Sequence, residues 1–327
     1  MRQLGRRFPE AKLRPLKLAR AVELDALADP SGSTRVWLAL EALQVTGSFK
    51  VRGALVALDA LGRDAHVVAA SAGNHGAAVS YAAKVLGARA TVCVPRSAPL
   101  AKRSKIERHG AELVLVQSDH YDDAEALAKE LAVTQGRAFL SPYDDENVVL
   151  GNGTSLAFDI VEALGSVPDR VLAPFGGGGL ATGLAWGIEA ESGARRVWGV
   201  QSEASCAMAM SLERGAAVER LETGGTTLAE GLEGGISADG FARARDVVAG
   251  VVVVSEDHIA RAMAWGCTTL GVGLEGSAAT ALVPLLEGLP EHLRGGDVVA
   301  VLTGRNVDPE RLARVLPAGV PVPPSID

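Results

Sequence analysis

The sequence has few cysteines, few aromatic residues and no long apolar run. Its three cysteines, Cys93, Cys206 and Cys267, lie far apart and show no metal-ligand spacing, which predicts free thiols in a reducing compartment. No segment approaches the roughly 20 apolar residues of a membrane span, and the basic N-terminus is not followed by the apolar segment of a signal peptide. We therefore expect a cytoplasmic protein that makes no membrane contact.

The chain also lacks an excess of positive charge. Its net charge of −7 argues against nucleic acid as a partner, because phosphate backbones are bound by basic surfaces. A short basic cluster at Lys102, Arg103, Lys105 and Arg108 is interpreted as the solvated side of a helix. The 48% apolar content, with 4% aromatic residues and 38 glycines among 327 residues, is typical of layered βα structure.

Short β-branched runs alternate with longer helical patterns from residue 34 onward. This alternation predicts parallel sheets covered by helices. Nine strands are expected, which exceeds a comfortable single open sheet. The predicted strands are Thr34–Leu40, His66–Ser71, Ala90–Pro95, Glu112–Val116, Ala138–Ser141, Arg170–Phe175, Arg195–Gln201, Gly250–Ser255 and Asp297–Thr303.

Two βα domains with a cleft between them follow from this strand count. Residues 66–144 hold about four βα units and are expected to form a small domain. Residues 1–65 and 145–327 are expected to form the larger one, with the Pro-rich stretch Pro317–Asp327 as a loose tail.

The first candidate site is the segment Thr46–Ala54, which contains Gly-Ser-Phe-Lys. A hydroxyl residue such as Ser48 favours the cap of a helix, and the helix start directs free N–H groups at anions. A lysine there, Lys50 behind Phe49, would be partly desolvated. Burial lowers the pKa of a lysine and frees its amine as a nucleophile or base.

A second candidate is the glycine-rich turn after the strand that ends near Pro174. Gly176–Gly179 allow several N–H groups to converge at the start of a helix, which makes a phosphate cradle. A competing interpretation is a dinucleotide site, since Gly176, Gly178 and Ala181 satisfy G-x-G-x-x-A and Glu203 lies near the next strand end. Some 175 residues precede this motif, however, and such motifs usually lie near the start of a domain.

Two further loops also follow strands. Ser71–Gly76 combines small residues with a hydroxyl and an asparagine and suits a carboxylate. Val301–Asn306 closes the last strand. Since open α/β sheets bind ligands at the carboxyl ends of their strands, four such loops together indicate a shared site.

Taken together, these segments resemble a known family, the fold-type II pyridoxal-phosphate enzymes, in the threonine/serine dehydratase and serine racemase branch. The resemblance covers nearly the whole chain from about residue 34. It implies an α/β architecture like that of tryptophan synthase β, with two open parallel-sheet domains and the active site between them. The matching segments, in order, are TGSFKVRGA, SAGNHG, PYDDENVVLGNGT, APFGGGGLATG, VVVVSEDHIARAM and LTGRNVD.

The resemblance also assigns roles to individual residues. It implies that Lys50 is the Schiff-base lysine for pyridoxal 5′-phosphate and that Asn74 bonds the phenolic oxygen of the cofactor. Thr303 would face the pyridine nitrogen. The other implied cofactor contacts are Phe49, Gly176, Gly177, Gly178, Gly179 and Leu180, and the substrate carboxylate would be held by Ser71, Ala72, Gly73, Asn74 and His75.

The implied activity is β-elimination from a β-hydroxy amino acid such as L-threonine or L-serine, giving a 2-oxo acid and ammonia. A neutral hydroxyl such as that of Thr303 makes the ring a weaker electron sink, which favours rapid expulsion of a β-leaving group. Lys50 would take the Cα proton, and the cofactor phosphate would help to protonate the departing hydroxyl. Dimerisation is usual in the family, so a homodimer is expected.

Three alternatives stay open at this point. An amino-acid racemase of the serine or aspartate type needs an acid/base on the opposite face of Cα, where this chain has Ala72. In a dinucleotide-binding oxidoreductase, Lys50 would have no role in catalysis. A catalytically weak binding protein is the third, because residues 38–44 read Leu-Ala-Leu-Glu-Ala-Leu-Gln, whereas the family often reads Lys-x-Glu-Asp-Leu-Gln.

Two other departures bear on ligands. The positions that bind a divalent cation in many relatives are here Gln201 and Ala207, so no metal site is expected. Arg305 replaces a usual glycine in the last loop. It is either a surface arginine or a pocket residue that selects a second carboxylate by bidentate pairing, as in a hydroxyaspartate dehydratase.

Overall fold

The strands form two separate sheets. The computed structural model describes residues 1–221 and 227–317. Within these residues a six-stranded sheet has the order β1-β2-β10-β7-β8-β9 and a four-stranded sheet has the order β5-β4-β3-β6. The strands are β1 (Leu18–Arg20), β2 (Thr34–Ala39), β3 (His66–Ala70), β4 (Arg89–Pro95), β5 (Glu112–Val116), β6 (Ala138–Phe139), β7 (Arg170–Pro174), β8 (Val197–Ser202), β9 (Gly250–Val254) and β10 (Gly296–Val301).

Helices connect the strands and cover both sheets. They are α1 (Leu4–Arg7), α2 (Val22–Ala28), α3 (Lys50–Leu61), α4 (Asn74–Leu86), α5 (Leu100–Arg108), α6 (Tyr121–Thr134), α7 (Glu146–Val149), α8 (Ser155–Leu164), α9 (Gly179–Ser192), α10 (Ala207–Arg214), α11 (Ala238–Arg245), α12 (Glu256–Thr268), α13 (Gly276–Ala279), α14 (Val283–Glu287) and α15 (Pro309–Val315). A π-helical turn, Leu150–Thr154, leads into α8. No described helix is both long and apolar enough to cross a bilayer.

The predicted α/β class with parallel sheets is confirmed. Strands pair in parallel within both sheets, except that β1 pairs antiparallel with β2. All nine predicted strands are present, with ends that differ from the prediction by at most two residues. The tenth strand, β1, was missed because it has only three residues, all half-buried, at the sheet edge. The expected tail Pro317–Asp327 lies outside the described residues except for its first residue.

Burial explains why the interior strands read as unbroken apolar runs. In β10 every residue after Gly296 is buried, and in β7 every residue after Arg170 is buried, as expected for strands covered by helices on both faces. The four strands of the smaller sheet all lie between residues 66 and 139. The domain division at 65/66 and 144/145 stays a prediction.

Parallel strands bring their carboxyl ends to one edge of a sheet. The loop after β3 leads into α4, and the glycine turn after β7 leads into α9. The last loop follows β10 and pairs with the segment before α3, through a bridge between Ser48 and Gly304. The sequence motifs therefore lie where open α/β sheets bind ligands.

Candidate active site

Lys50 is the first residue of α3, and its amine points to another segment of the chain. Its Nζ lies 3.3 Å from the carbonyl oxygen of Pro142 and 5.1 Å from the ring centroid of Phe49. The cap position is Phe49 and makes no side-chain capping bond. The expected Ser48 cap is therefore wrong: the Ser48 hydroxyl is buried without a hydrogen-bond partner among the described residues.

Burial and a neighbouring carboxylate act in opposite directions on the pKa of the Lys50 amine. Burial lowers the pKa of Lys50 to about 8, and the negative charge of Glu275 opposes this shift. Burial also raises the pKa of Glu275. The hydrogen bond from the Asn74 amide and the charges of Lys102 and Lys50 lower this pKa, but burial outweighs them. A substantial fraction of the amine is therefore neutral near physiological pH, as a nucleophile or general base requires.

Hydrogen bonds join the last loop to the start of α4. The Asn74 amide nitrogen donates to the two carboxylate oxygens of Glu275 at 2.9 and 3.0 Å. The Asn306 amide nitrogen donates to Asn74 Oδ1 at 2.6 Å, and Lys105 Nζ donates to Asn306 Oδ1 at 3.0 Å. The side chain of Asn74 is thus fixed from two sides.

The basic helix α5 does not match its sequence interpretation. Lys105 contacts Asn306 and Lys102 lies 3.4 Å from Glu230. Both lysines reach across from the side of the smaller sheet to loops that belong with the larger one. The expectation of a merely solvated face is therefore wrong for these two residues.

The loop Ser71–His75 offers backbone donors at the start of the 13-residue helix α4. The amide of Gly73 donates to Ser71 Oγ at 3.1 Å. Among the residues that the structure describes, the amides of Ala72, Asn74 and His75 have no hydrogen-bond acceptor. Free N–H groups at a helix start suit a carboxylate.

His75 is buried and neutral. Its Nε2 lies 2.9 Å from the carbonyl oxygen of Leu140, and since a carbonyl only accepts, Nε2 carries the proton. Nδ1 has no partner in the described part of the chain. Burial, and then the charge of Lys50, lower the pKa of His75 to about 3.

The glycine turn is packed against Tyr143. A methyl group at position 177 would lie 2.7 Å from Cγ of Tyr143, and one at position 179 would lie 3.0 Å from its Cα. Gly178 has a φ of 89°, which only glycine adopts without strain. Within the described ranges, the N–H groups of 176–180 have no acceptor. These glycines therefore present several free donors at the N-terminus of α9.

Two predicted residues of the last loop remain, Thr303 and Arg305. Thr303 is 2% exposed, and its carbonyl accepts a hydrogen bond from the Phe49 amide at 3.1 Å, which places it beside Lys50. Arg305 donates its backbone amide to the Gly47 carbonyl at 3.0 Å. Burial, and then the neighbouring Arg14, lower the pKa of the Arg305 guanidinium. Nη1 of Arg305 is buried and has no hydrogen-bond partner within the described residues.

The segment 38–44, which departs from the family pattern, still contains one acidic residue, Glu41. Glu41 is fully buried and accepts two hydrogen bonds of 2.8 Å from Arg52, which lies two residues after Lys50. Arg52 also donates to Asp159 at 2.7 Å. This ion cluster ties the loop before Lys50 to α3 and α8.

A family model described as pyridoxal-phosphate dependent enzyme matches residues 15–304. The chain belongs to the pyridoxal-phosphate dependent enzymes. Over 288 residues, which are 86% of this chain and 85% of the relative, it is 38% identical to the catabolic L-threonine dehydratase of Escherichia coli. Over 289 residues, 87% of this chain and 70% of the relative, it is 36% identical to the L-threonine ammonia-lyase of Thermotoga maritima.

Solved structures of a threonine deaminase and a serine racemase share the fold. The processed form of threonine deaminase isoform 2 from Solanum lycopersicum superimposes with a TM-score of 0.85 and 27% identity, covering 95% of this chain and 90% of that one. Maize serine racemase superimposes with a TM-score of 0.85 and 25% identity, covering 95% and 94%. The resemblance inferred from the sequence is thereby confirmed, and the dinucleotide-binding alternative is excluded.

The residues present fit pyridoxal 5′-phosphate. The cradle of free N–H groups at 176–180 suits its phosphate, and the desolvated amine of Lys50 suits its aldehyde. The amide of Asn74 and the buried hydroxyl residue Thr303 would supply neutral partners for the polar ring atoms. The dinucleotide interpretation made Glu203 a ligand-binding residue. In the structure its carboxylate instead accepts a hydrogen bond from the Glu256 amide at 3.2 Å, a contact within the protein.

Sequence reasoning missed Glu275, Asn306 and Tyr143 as site residues. Tyr143 and Asn306 lie inside segments that carry the family resemblance, so a signal existed. Glu275 has none, because it lies in a loop without a motif and meets Asn74 across 201 residues of sequence. Gln201, where the sequence predicts no metal ligand, donates to the Phe175 carbonyl at 3.1 Å and accepts from the Ala209 amide at 3.0 Å.

The pKa of Lys50 makes a prediction about cofactor capture. Apoprotein should bind pyridoxal 5′-phosphate covalently at a rate that rises with pH through about 8, because only the neutral amine attacks an aldehyde. Glu275→Gln should move this midpoint to lower pH, since the charge that opposes the shift is removed. Stopped-flow absorption measures the rate, with the exposed residue change Glu287→Gln as control. A midpoint near the ordinary lysine value of 10.5 would contradict the assignment.

Proposed function

We propose that this chain is a pyridoxal-phosphate dependent ammonia-lyase that converts L-threonine or L-serine to a 2-oxo acid and ammonia. The observation that carries the proposal is the amine of Lys50, whose burial lowers its pKa to about 8 beside loops with free donors. Support for the substrate class comes from the dehydratase and ammonia-lyase relatives, which match most of the chain at 36–38% identity.

Each element of the site has a separate task in this reaction. The bound cofactor supplies an electron sink that makes the Cα–H bond acidic. The free N–H groups of Ala72, Asn74 and His75 bind the substrate carboxylate and orient Cα. Lys50 takes the Cα proton, and its lowered pKa suits that transfer near neutral pH. Glu275 and Asn306 keep Asn74 in place, while the N–H groups of 176–180 hold the phosphate.

A racemase is the second candidate, favoured by the structural similarity to maize serine racemase. Racemisation needs a proton donor on the face of Cα opposite Lys50. Ala72, which the resemblance places there, has no ionisable group and packs against a small apolar cluster around Val92 and Val94. Elimination is therefore the better-supported reaction.

The decisive experiment measures products from purified holoenzyme. Incubation with L-threonine and L-serine should release 2-oxo acid and ammonia in equal amounts. Chiral chromatography of the remaining substrate should show the L-form alone. Accumulation of the D-form without 2-oxo acid would contradict the lyase activity and support the racemase activity. A protein that takes up the cofactor but converts neither substrate would favour the binding-protein alternative.

Substitution of Arg305 tests whether the enzyme selects a substrate with a second carboxylate. As a pocket residue, it would pair with the β-carboxylate of 3-hydroxyaspartate. Arg305→Gly should then lower kcat/KM for that substrate by about tenfold or more, which corresponds to ~1.4 kcal/mol, and leave threonine unaffected. Steady-state kinetics on both substrates measures the effect. An unchanged preference would leave Arg305 without a role in substrate selection.

Three further features remain part of the proposal. The chain divides into 1–65 with 145–327 and 66–144, which the confinement of the smaller sheet to 66–139 supports. A homodimer and a cytoplasmic location are retained as predictions from the sequence.

A further inference from the structure

Four polar side chains from separate elements form one hydrogen-bonded chain at the candidate site. Lys105 Nζ, on α5, donates to Asn306 Oδ1 in the last loop at 3.0 Å. Asn306 Nδ2 donates to Asn74 Oδ1 at 2.6 Å. Asn74 Nδ2 donates to the two oxygens of Glu275, just before α13, at 2.9 and 3.0 Å. The chain therefore begins at an ammonium group and ends at a carboxylate.

These charged ends give the chain one direction. A lysine ammonium has only donors, and an ionised carboxylate has only acceptors. Lys105 therefore selects the oxygen of the Asn306 amide and leaves its nitrogen to donate onward. Both hydrogens of that nitrogen are used, because it also donates to the Thr46 carbonyl at 2.9 Å. Asn74 accepts at its oxygen and so directs its nitrogen at Glu275, which suits the ionised form of that carboxylate.

The chain lies against the backbone that leads into Lys50. A methyl group at Gly47 would collide with the Asn306 side chain. A methyl group at Gly304, which is bridged to the residue two positions before Lys50, would collide with the Glu275 carboxylate. The negative charge of Glu275 also acts on the Lys50 amine, since it opposes the lowering of the Lys50 pKa by burial.

Three other titratable groups interact with Glu275 or Lys50. Lys102 and Glu230 act on Glu275 with opposite sign and lie 3.4 Å apart. Burial, and then the charge of Lys50, keep His75 neutral, with a pKa of about 3. None of these groups is substituted in the variants below, so differences between the variants report the hydrogen-bonded chain.

We propose that Lys105 is a positioning residue of the cofactor site. Through Asn306 it keeps the nitrogen of the Asn74 amide toward Glu275, and it thereby keeps Glu275 negatively charged near the Lys50 amine. Without a donor at position 105, both amides lose the contact that sets their orientation. Rotation of Asn74 places its oxygen against the carboxylate, which then takes up a proton from solvent to donate to that oxygen. The inference rests on the role that the proposed function gives to Lys50.

Cofactor capture by the apoprotein tests this role without substrate. Lys105→Met removes the donor at similar side-chain length, and the midpoint of its capture rate should move to lower pH, in the direction expected of Glu275→Gln. The sign decides between two explanations. Loss of a nearby positive charge alone would favour the Lys50 ammonium and move the midpoint to higher pH. Lys105→Arg retains a donor and should restore the midpoint of the unsubstituted protein.

A second set of variants tests whether the effect passes through Glu275. In the Glu275→Gln background, Lys105→Met should cause no further shift to lower pH, because the charge on which it acts is already absent. Asn306→Ala breaks the chain without a change of charge and should shift the midpoint in the same direction as Lys105→Met. Lys129→Met is the matched control, since its side chain is 56% exposed and pairs with Glu125, and it should leave the midpoint unchanged.

The outcomes separate this inference from the proposed function. An unsubstituted apoprotein without a capture midpoint near 8 would overturn the role of Lys50 and, with it, both proposals. A holoenzyme that captures the cofactor but releases no 2-oxo acid would overturn the ammonia-lyase and leave the role of Lys105 intact. A Lys105→Met midpoint that stays in place or moves to higher pH, or that falls further when Glu275→Gln is already present, would overturn the role of Lys105 alone.

Discussion

Lys50→Ala should lower elimination from L-threonine by about 10³-fold or more, because the proposed function assigns to this one side chain both the nucleophile toward the cofactor and the general base. The variant should still fold, since Lys50 makes one side-chain hydrogen bond, to the Pro142 carbonyl. Its visible cofactor band should be lost as well. The measurements are steady-state kinetics, absorption spectra and circular dichroism on the same preparation.

Lys129→Ala is the matched control for this variant. Lys129 also lies on a helix, but its side chain is 56% exposed and pairs with Glu125 within one helical turn. Surface pairs of this kind contribute little, so activity and spectrum should stay unchanged. A Lys50→Ala protein that retains the band and more than about a tenth of the rate would contradict the role of Lys50 as the general base.

Arg52→Leu should lower the free energy of unfolding by about 3–5 kcal/mol, the typical result of leaving a buried charge without its partner. Arg52 is 2% exposed, and the Glu41 carboxylate that it binds is fully buried. A second carboxylate, that of Asp159, lies 2.7 Å from Nη1 of Arg52. These opposite charges raise the pKa of Arg52 although burial opposes them. Urea denaturation of the apoprotein measures the effect.

Arg261→Leu provides the exposed comparison. Arg261 lies in α12, and its side chain is 60% exposed and 3.2 Å from Glu287, so its loss should cost less than about 1 kcal/mol. Adding Glu41→Leu to Arg52→Leu should recover part of the stability, because the orphaned charge disappears. Equal losses for Arg52→Leu and Arg261→Leu would show that the buried cluster contributes no more than a surface pair.

Local sequence signals predicted the parts of the site that depend on backbone geometry. Four consecutive glycines after a strand can form few structures other than a tight cradle at a helix start, and Gly176–Gly179 form one. The regular alternation of strand and helix patterns predicted the two parallel sheets. The lysine at position 50 was identified because Gly-Ser-Phe-Lys precedes a helical pattern directly after a strand.

Features that depend on distant contacts were not predictable in this way. Asn74 meets Glu275 and Asn306 across 201 and 232 residues of sequence, and no local pattern reports such a pairing. Lys105 was assigned to solvent because a basic helix face usually is exposed, yet it donates to Asn306. The hydroxyl of Ser48 was expected to cap α3, but the helix begins one residue later than a Ser48 cap requires.

The central claim is that Lys50, and no other lysine, carries the cofactor. Purified holoenzyme reduced with borohydride and digested with protease should yield one peptide that bears the phosphopyridoxyl group, and fragmentation should place that group on Nζ of Lys50. Modification of a different lysine, or of none after saturation with pyridoxal 5′-phosphate, would contradict the account.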